Sequence, residues 1–252
     1  MGVTFSGDRV IKCPAQAGAA RAEAAGLAWL RAASTAVVEV VDVTDTRLTL
    51  ARVDTVAPTA QAARQAGVQL ARIHRAGAAA FGAPPPGWDG PYFIGTQEQA
   101  CRPDAAWGRF YAQQRVLPFA RRAQLPQAVA SLVERACAAI EAVGDWGVAP
   151  ARIHGDLWAG NLLFSASGPV FIDPAAHGGH PVTDLAMLDL FGAPFLPDIF
   201  AGYESVATLP DGWRAQIPLH QLHPLAVHAL THGPGYVPDL ARAAERTLEL
   251  LG

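Results

Sequence analysis

The sequence predicts an α+β protein of two unequal lobes: a small N-terminal antiparallel sheet with one helix (residues 1–54) and a larger, mostly helical lobe (residues 55–252). Two observations carry this. Short β-branched runs separated by turn residues crowd the first fifty positions, and from Pro58 onward proline-opened stretches with helically spaced apolar residues replace them. A third agrees with both: the 252 residues are 51% hydrophobic and 16% charged, so the chain can bury a real core and disorder is not expected.

In chain order, residues 3–5 and 9–13 read as strands around the turn Ser6-Gly7-Asp8, a hairpin signal. Pro14 opens an alanine-rich helix to about residue 33, with Ala22, Leu27 and Leu30 spaced to face a core. Runs 37–43 and 47–53 flank Thr44-Asp45-Thr46 as a second hairpin. Helices are expected at 58–80, 103–123, 126–143, 182–191, 195–207, 213–232 and 238–251. The Gly/Pro/aromatic stretch 81–103 is too long for a mere connector, and such loops are usually functional.

Charge and composition exclude some partners. The net charge is -3, no Lys/Arg run occurs, and Lys12 is the single lysine, so neither nucleic acid nor an anionic membrane is expected. Cys13, Cys101 and Cys137 form no C-x-x-C pair and read as reduced, mostly buried thiols of a cytoplasmic protein. The first residues have no basic or apolar leader pattern, and no apolar run approaches the roughly 20 residues a bilayer requires.

The chemistry concentrates in Ile153-His154-Gly155-Asp156-Leu157-Trp158-Ala159-Gly160-Asn161, followed by a strand, a turn at 165–169 and Val170-Phe171-Ile172-Asp173-Pro174. Phosphoryl transfer needs an aligned hydroxyl, an acceptor for its proton and oxygen ligands for Mg²⁺. Asp156 can accept the proton, and the Asn161 amide oxygen, five positions on, can ligate the metal. A short hairpin then returns Asp173 as the second hard-oxygen ligand. An Asx turn at Asp156 and Asn161 with a strand cap at Asp173 is the competing reading; the three in this order and spacing favour the chemistry. The Asp-x-x-x-x-Asn…Asp pattern matches a protein-kinase catalytic loop and its metal aspartate.

The loop His154-Gly155-Asp156-Leu157-Trp158-x-Gly160-Asn161 resembles that of the fructosamine/ketosamine-3-kinase family, within the protein-kinase-like superfamily that includes aminoglycoside phosphotransferases. Asp173-Pro174-Ala175, Gly179-His180, Asp184-Leu185-Ala186-Met187 and Tyr92-Phe93-Ile94-Gly95-Thr96 are similar to further stretches of that family. The resemblance implies a two-lobed kinase-like fold and ATP with Mg²⁺ as cofactors. It implies a glycated small molecule, or a glycated lysine on a protein, as substrate. It also implies that Lys12 holds the ATP α/β-phosphates with Glu23 orienting it, that Asp184 accepts hydrogen bonds from the catalytic loop, and that His154 orders that loop. Trp158 and His180 become candidates for lining the sugar-amine site, against a core tryptophan and a turn histidine as the alternatives. Arg115 is expected to pack or pair near the substrate-side loop. The remaining histidines, His177, His220, His223, His228 and His232, lack companions at metal-ligand spacing; His220 and His223 read as a helix surface.

Two departures matter. Members of the family usually carry a glycine-rich hairpin before the lysine strand, whereas here only Ser6-Gly7-Asp8 precedes Lys12 and no G-x-G-x-x-G occurs, so that first hairpin is read as missing. Arg52 stands near the usual acidic hinge position. The sequence thus leaves three outcomes: an active ketosamine kinase, a non-catalytic kinase-fold binding protein, or a phosphotransferase acting on an aminoglycoside-, choline- or homoserine-like acceptor.

Overall fold

The computed structural model describes residues 2–252. Strands β1 (Gly2–Ser6), β2 (Arg9–Cys13), β3 (Val40–Val43) and β4 (Leu48–Ala51) form one antiparallel sheet in the order β1-β2-β4-β3. Lys12 lies on an interior strand, opposite Val3 on one side and Leu48 on the other. Helix α1 (Ala19–Arg31) buries Ala20, Ala24, Leu27 and Leu30, the three- and four-residue spacing of one helix face.

Helix α2 (Ala60–Arg75) is N-capped by the Thr59 hydroxyl, which accepts the Ala62 N–H at 3.1 Å. It stops short of the expected residue 80 because Gly77 takes the left-handed conformation (φ 69°) that ends helices. After ribbon β5–β6 (Phe93–Ile94, Gln97–Glu98) come α3 (Trp107–Phe110), a π-helical turn (Tyr111–Val116), α4 (Leu117–Arg122) and α5 (Gln127–Ala142). Strand β7 (Ala151–Ile153) leads into loop 154–161. Hairpin β8–β9 (Leu162–Ser165, Gly168–Phe171) follows, and β10 (His177–Gly179) returns to pair with β7. Helices α6 (Val182–Leu190), α7 (Leu196–Glu204), α8 (Ile217–His232) and α9 (Val237–Leu251) complete the chain. The α+β two-lobed expectation holds; the β7–β10 ribbon was not foreseen, because three-residue strands containing Gly178-Gly179 carry no β-branched signal.

The two lobes share one apolar core. Leu27, Leu30 and Leu48 belong to the same buried cluster as Leu70, Leu162, Phe171 and Leu185. Backbone bonds reinforce the junction: Phe171 N–H donates to Ala36 at 2.7 Å, and Val38 N–H to Phe171 at 3.0 Å. A second core of Trp107, Phe110, Phe119, Val133, Ile140, Leu222 and Leu240 fills the far end. No helix among the described residues is long and apolar enough to cross a membrane.

Helices α2 and α7 approach so closely that each needs a glycine facing the other. A Cβ on Gly67 would lie 1.9 Å from the Ile199 carbonyl oxygen, and one on Gly202 would lie 2.0 Å from that of Arg64. Gly67→Ala must therefore part the helices. It is expected to destabilise by about 3 kcal/mol and lower Tm by roughly 10 °C in calorimetry; an unchanged Tm would mean the helices are not held at this distance.

Candidate active site

Loop 154–161 is built around glycine and one buried carboxylate. Gly155 has φ 80°, and a Cβ there would fall 2.3 Å from the Ala175 carbonyl oxygen, so only glycine fits. Asp184, buried on α6, accepts the His154 N–H at 2.7 Å through Oδ2 and the Gly155 N–H at 2.9 Å through Oδ1. His74 Nε2 bonds the same Oδ2 at 3.0 Å, while its Nδ1 meets the Tyr203 hydroxyl at 2.9 Å. A carboxylate can only accept, so the His74 proton sits on Nε2 and Tyr203 O–H donates to Nδ1. Burial alone would raise the Asp184 carboxyl; the His74 hydrogen bond, the nearby histidines and the Gly155 N–H together hold it below the ordinary value.

His154 ties the loop to the strand that delivers Asp173. Its Nε2–H donates to the Ile172 carbonyl at 2.8 Å and its Nδ1 accepts the Asp156 N–H at 3.3 Å. Burial, the largest influence, keeps this imidazole below its usual pKa and neutral. Asn161 Nδ2 donates to the Asp156 carbonyl at 2.8 Å and lies 3.4 Å from Asp156 Oδ2. The amide is thereby oriented with its oxygen available for a cation.

Lys12, buried on β2, reaches Glu23 Oε1 of α1 at 2.6 Å and Asp173 Oδ1 at 3.1 Å. Asp173 itself has φ 55°, an uncommon conformation for a non-glycine residue. Burial would lower the lysine, but the two carboxylates outweigh it and its pKa rises; Glu23 is raised chiefly by burial, against the pull of Lys12. Asp156 is pushed up to about 7, first by burial and then by the charges of Asp173 and Asp184. A carboxylate poised there suits proton acceptance near neutral pH.

Lys12 and Asp173 form the seam between two cavities. One, of about 580 Å³, has apolar walls from Val10, Val38, Leu50, Leu163 and Ile172, which suit a planar base. The other, of about 270 Å³, is bordered by Glu23, Tyr92, Thr96, Asp156, Trp158 and Asn161. Asp156, Asn161, Asp173, Lys12 and Glu23 thus converge. Trp158 borders the same cavity, 44% exposed and edge-on to Phe191 at 6.4 Å.

His180 is a correction: it does not face the cleft. Its ring is fully buried between Trp107 (4.9 Å) and His220 (4.5 Å), and its Nδ1 accepts the Val182 N–H at the start of α6. The surface reading of His220 and His223 also fails, since both are buried; α8 is packed between α6, α4 and α9, so even its polar residues face protein. His177 is likewise buried, its Nδ1–H donating to the Ala175 carbonyl at 2.7 Å. Of the thiols, Cys137 is buried, Cys101 half-buried and Cys13 exposed. Sequence reasoning missed His74 and Tyr203. The available signal was that His74 sits on the apolar stripe of α2, beside Leu70 and Ile73.

A sequence model of the family described as fructosamine kinase matches residues 11–250. A protein of Synechocystis sp. assigned as a ketoamine kinase is 32% identical over 193 residues, covering 73% of this chain and 61% of that protein. One of Enterococcus faecium with the same assignment is 40% identical over 90 residues, 35% of this chain and 32% of its own. The matched stretches therefore span about a third to three fifths of these curated relatives. A crystal structure from Thermobifida fusca YX-ER1, assigned as a fructosamine-3-kinase, superposes with a TM-score of 0.90 at 44% identity over 96% of this chain and 85% of that one. A choline/ethanolamine kinase family protein of Mesorhizobium loti shares the fold at a TM-score of 0.65 and 16% identity, over 99% of this chain and 88% of its own.

Two measurements follow from this geometry. Asp156 binds its proton up to about pH 7 when folded but only to about 3.8 when unfolded, so stability falls as pH rises through that window. Asp156→Asn, uncharged throughout, is expected to raise the Tm of the protein without nucleotide or metal at about pH 8 and to leave it nearly unchanged at about pH 4; equal Tm values at the higher pH would contradict the raised carboxyl. His74→Leu removes a buried donor from Asp184. It should cost about 3 kcal/mol or more and speed hydrogen exchange at the Gly155 amide, read by NMR.

Proposed function

We propose that this chain, which belongs to the fructosamine kinase family, transfers the γ-phosphoryl group of ATP to a sugar hydroxyl of a ketosamine, free or carried on a protein lysine. The observation that carries this is the meeting of Asp156, Asn161, Asp173 and Lys12 where two cavities adjoin. The base of ATP fits the larger cavity, which leaves its phosphates beside Lys12 and the ketosamine beside Asp156, Trp158 and Tyr92.

The donors at the seam fit Mg²⁺: the Asp173 carboxylate and the Asn161 amide oxygen are hard oxygens, with no sulfur or imidazole among them. Held there by Asp173 and Asn161, the metal would supply charge neutralisation to the phosphate oxygens. Lys12, fixed by Glu23, places a positive charge on the nonreacting phosphates. Asp156 orients the acceptor hydroxyl and takes its proton as the oxygen attacks the γ-phosphorus and the bond from that phosphorus to the β–γ bridging oxygen breaks; the phosphoryl group ends on the sugar oxygen, the bridging oxygen leaves with ADP, and the proton is held by Asp156. Trp158 offers a ring face to the sugar or to its protonated amine.

The test is ATP consumption with Mg²⁺ against ribulosamine and fructosamine derivatives of lysine, with an aminoglycoside and choline alongside. Phosphorylation of a ketosamine is expected, and Asp156→Ala should lower kcat by ~10²-fold or more. Turnover by that variant within a few-fold of the parent would refute the role of Asp156. Phosphorylation of choline or the aminoglycoside instead would move the chain to another acceptor class.

A further inference from the structure

Tyr92, Phe93, Gly95 and Thr96, from the first half of ribbon β5–β6 and its turn, form one wall of the cavity that Asp156 and Trp158 border. Two strands of two residues each cannot hold a fixed position by themselves. At the tip of the ribbon, Gln16 Nε2 donates to the Thr96 carbonyl at 3.1 Å and Arg122 donates to the Gln97 side chain. Both contacts are exposed, compete with water and contribute little.

The buried ties lie at the base. Gln99 N–H donates to the Tyr92 carbonyl at 2.8 Å, its Nε2 reaches the Phe93 carbonyl at 3.4 Å, and Ile94 is buried in the far-end core. The chain leaving the ribbon, residues 100–102, is gripped in turn by two consecutive residues of the π-helical turn. Gln114 is buried; its Oε1 accepts the Arg102 N–H at 3.0 Å and its Nε2 donates to the Arg102 carbonyl at 3.0 Å. One side-chain amide thus satisfies both backbone groups of one residue, as a paired strand would. Arg115, also buried, donates from Nη1 to the Ala100 carbonyl at 2.5 Å, and the Cys101 thiol lies against its guanidinium. Burying a guanidinium is costly unless it is well bonded, and here its bonds go to the chain that ends the ribbon. π-Helical turns are rare and recur at functional positions.

We propose that Gln114 and Arg115 are positioning residues for the acceptor: they fix residues 100–102 and, through them, the wall at 92–96 that faces Asp156 and Trp158. The inference rests on the assignment of that cavity to the ketosamine. Neither side chain borders the cavity, so neither touches the acceptor. Releasing either grip lets the wall move while Lys12, Glu23, Asp173 and Asn161 stay in place, because their own bonds run elsewhere.

The experiment is steady-state kinetics on the whole chain with Mg²⁺, varying the ketosamine and ATP separately. Gln114→Leu is expected to raise KM for the ketosamine about tenfold while kcat and KM for ATP change less than about twofold. Arg115→Met should do the same, and Arg115→Lys, which keeps a charged donor on a long stem, should restore most of the loss. Hydrogen exchange at the amides of residues 93–99 should quicken, while the Gly155 amide, held by Asp184, keeps its rate. If Arg115→Met does not fold, Gln114→Leu and Arg115→Lys carry the comparison. A lowered Tm with all kinetic constants unchanged marks a purely structural role and overturns the proposal. So does a loss of kcat or of ATP affinity in place of acceptor affinity. A parent protein that turns over no ketosamine instead removes the assignment of the cavity, and this inference with it.

Discussion

A buried carboxylate with three hydrogen-bond partners sets the geometry on which the cleft depends. Asp184 receives two consecutive backbone N–H groups, from His154 and Gly155, and a third bond from His74, itself backed by Tyr203. Adjacent amides pointing to one side require the chain to turn sharply, which is why Gly155 sits at positive φ and why no side chain is tolerated there. Charge-assisted bonds at a buried site are strong, and an unpaired Asp184 would be costly. The loop is therefore held in one shape before any substrate arrives. Asp156, one residue beyond the clamped turn, inherits its position from that shape.

The second half of the constellation arrives by another route. Asp173 follows β9, and β9 is bonded on one side to β8 and on the other to the connector at residues 36–38. That connector joins α1, which carries Glu23, to β3, beside the strand pair that carries Lys12. The same backbone bonds that weld the lobes thus set how far Lys12 and Glu23 stand from Asp173. His154, donating to Ile172, links the two halves. A change in how the lobes meet would be felt directly in the 3.1 Å Lys12–Asp173 contact.

How much of this was legible in the sequence depended on whether the partners were close along the chain. Asp156, Asn161 and Asp173 lie within one loop and one hairpin, so spacing alone brought them together. Lys12 stood out because it is the single lysine. His74 and Asp184 meet across 110 residues, and no local pattern announces such a pair. The histidines of α8 misled for a different reason. A periodicity argument treats histidine as polar and sends it outward, but α8 is enclosed on nearly every side, so His220 and His223 had no outward face to occupy. His180, read as a wall of the acceptor site, caps α6 instead.

The charges at the seam argue about what enters it. Glu23, Asp156 and Asp173 surround a single ammonium, Lys12, and the carboxyls of Glu23 and Asp156 are raised first by burial and then by the charge of Asp173. A bare polyphosphate would meet two acidic walls and one lysine that is already shared. A neutral or cationic acceptor amine would be welcome beside Asp156. On the proposed reading, a nucleotide accompanied by a divalent cation would relieve the imbalance on both sides. Its phosphates would compete with Asp173 for Lys12, and Asp173 and the Asn161 oxygen would be the groups to hold the cation. Neutralising the Asp173 charge would also lower the Asp156 pKa, so under the proposed mechanism Asp156 would become a better ionised proton acceptor once the phosphoryl donor is in place.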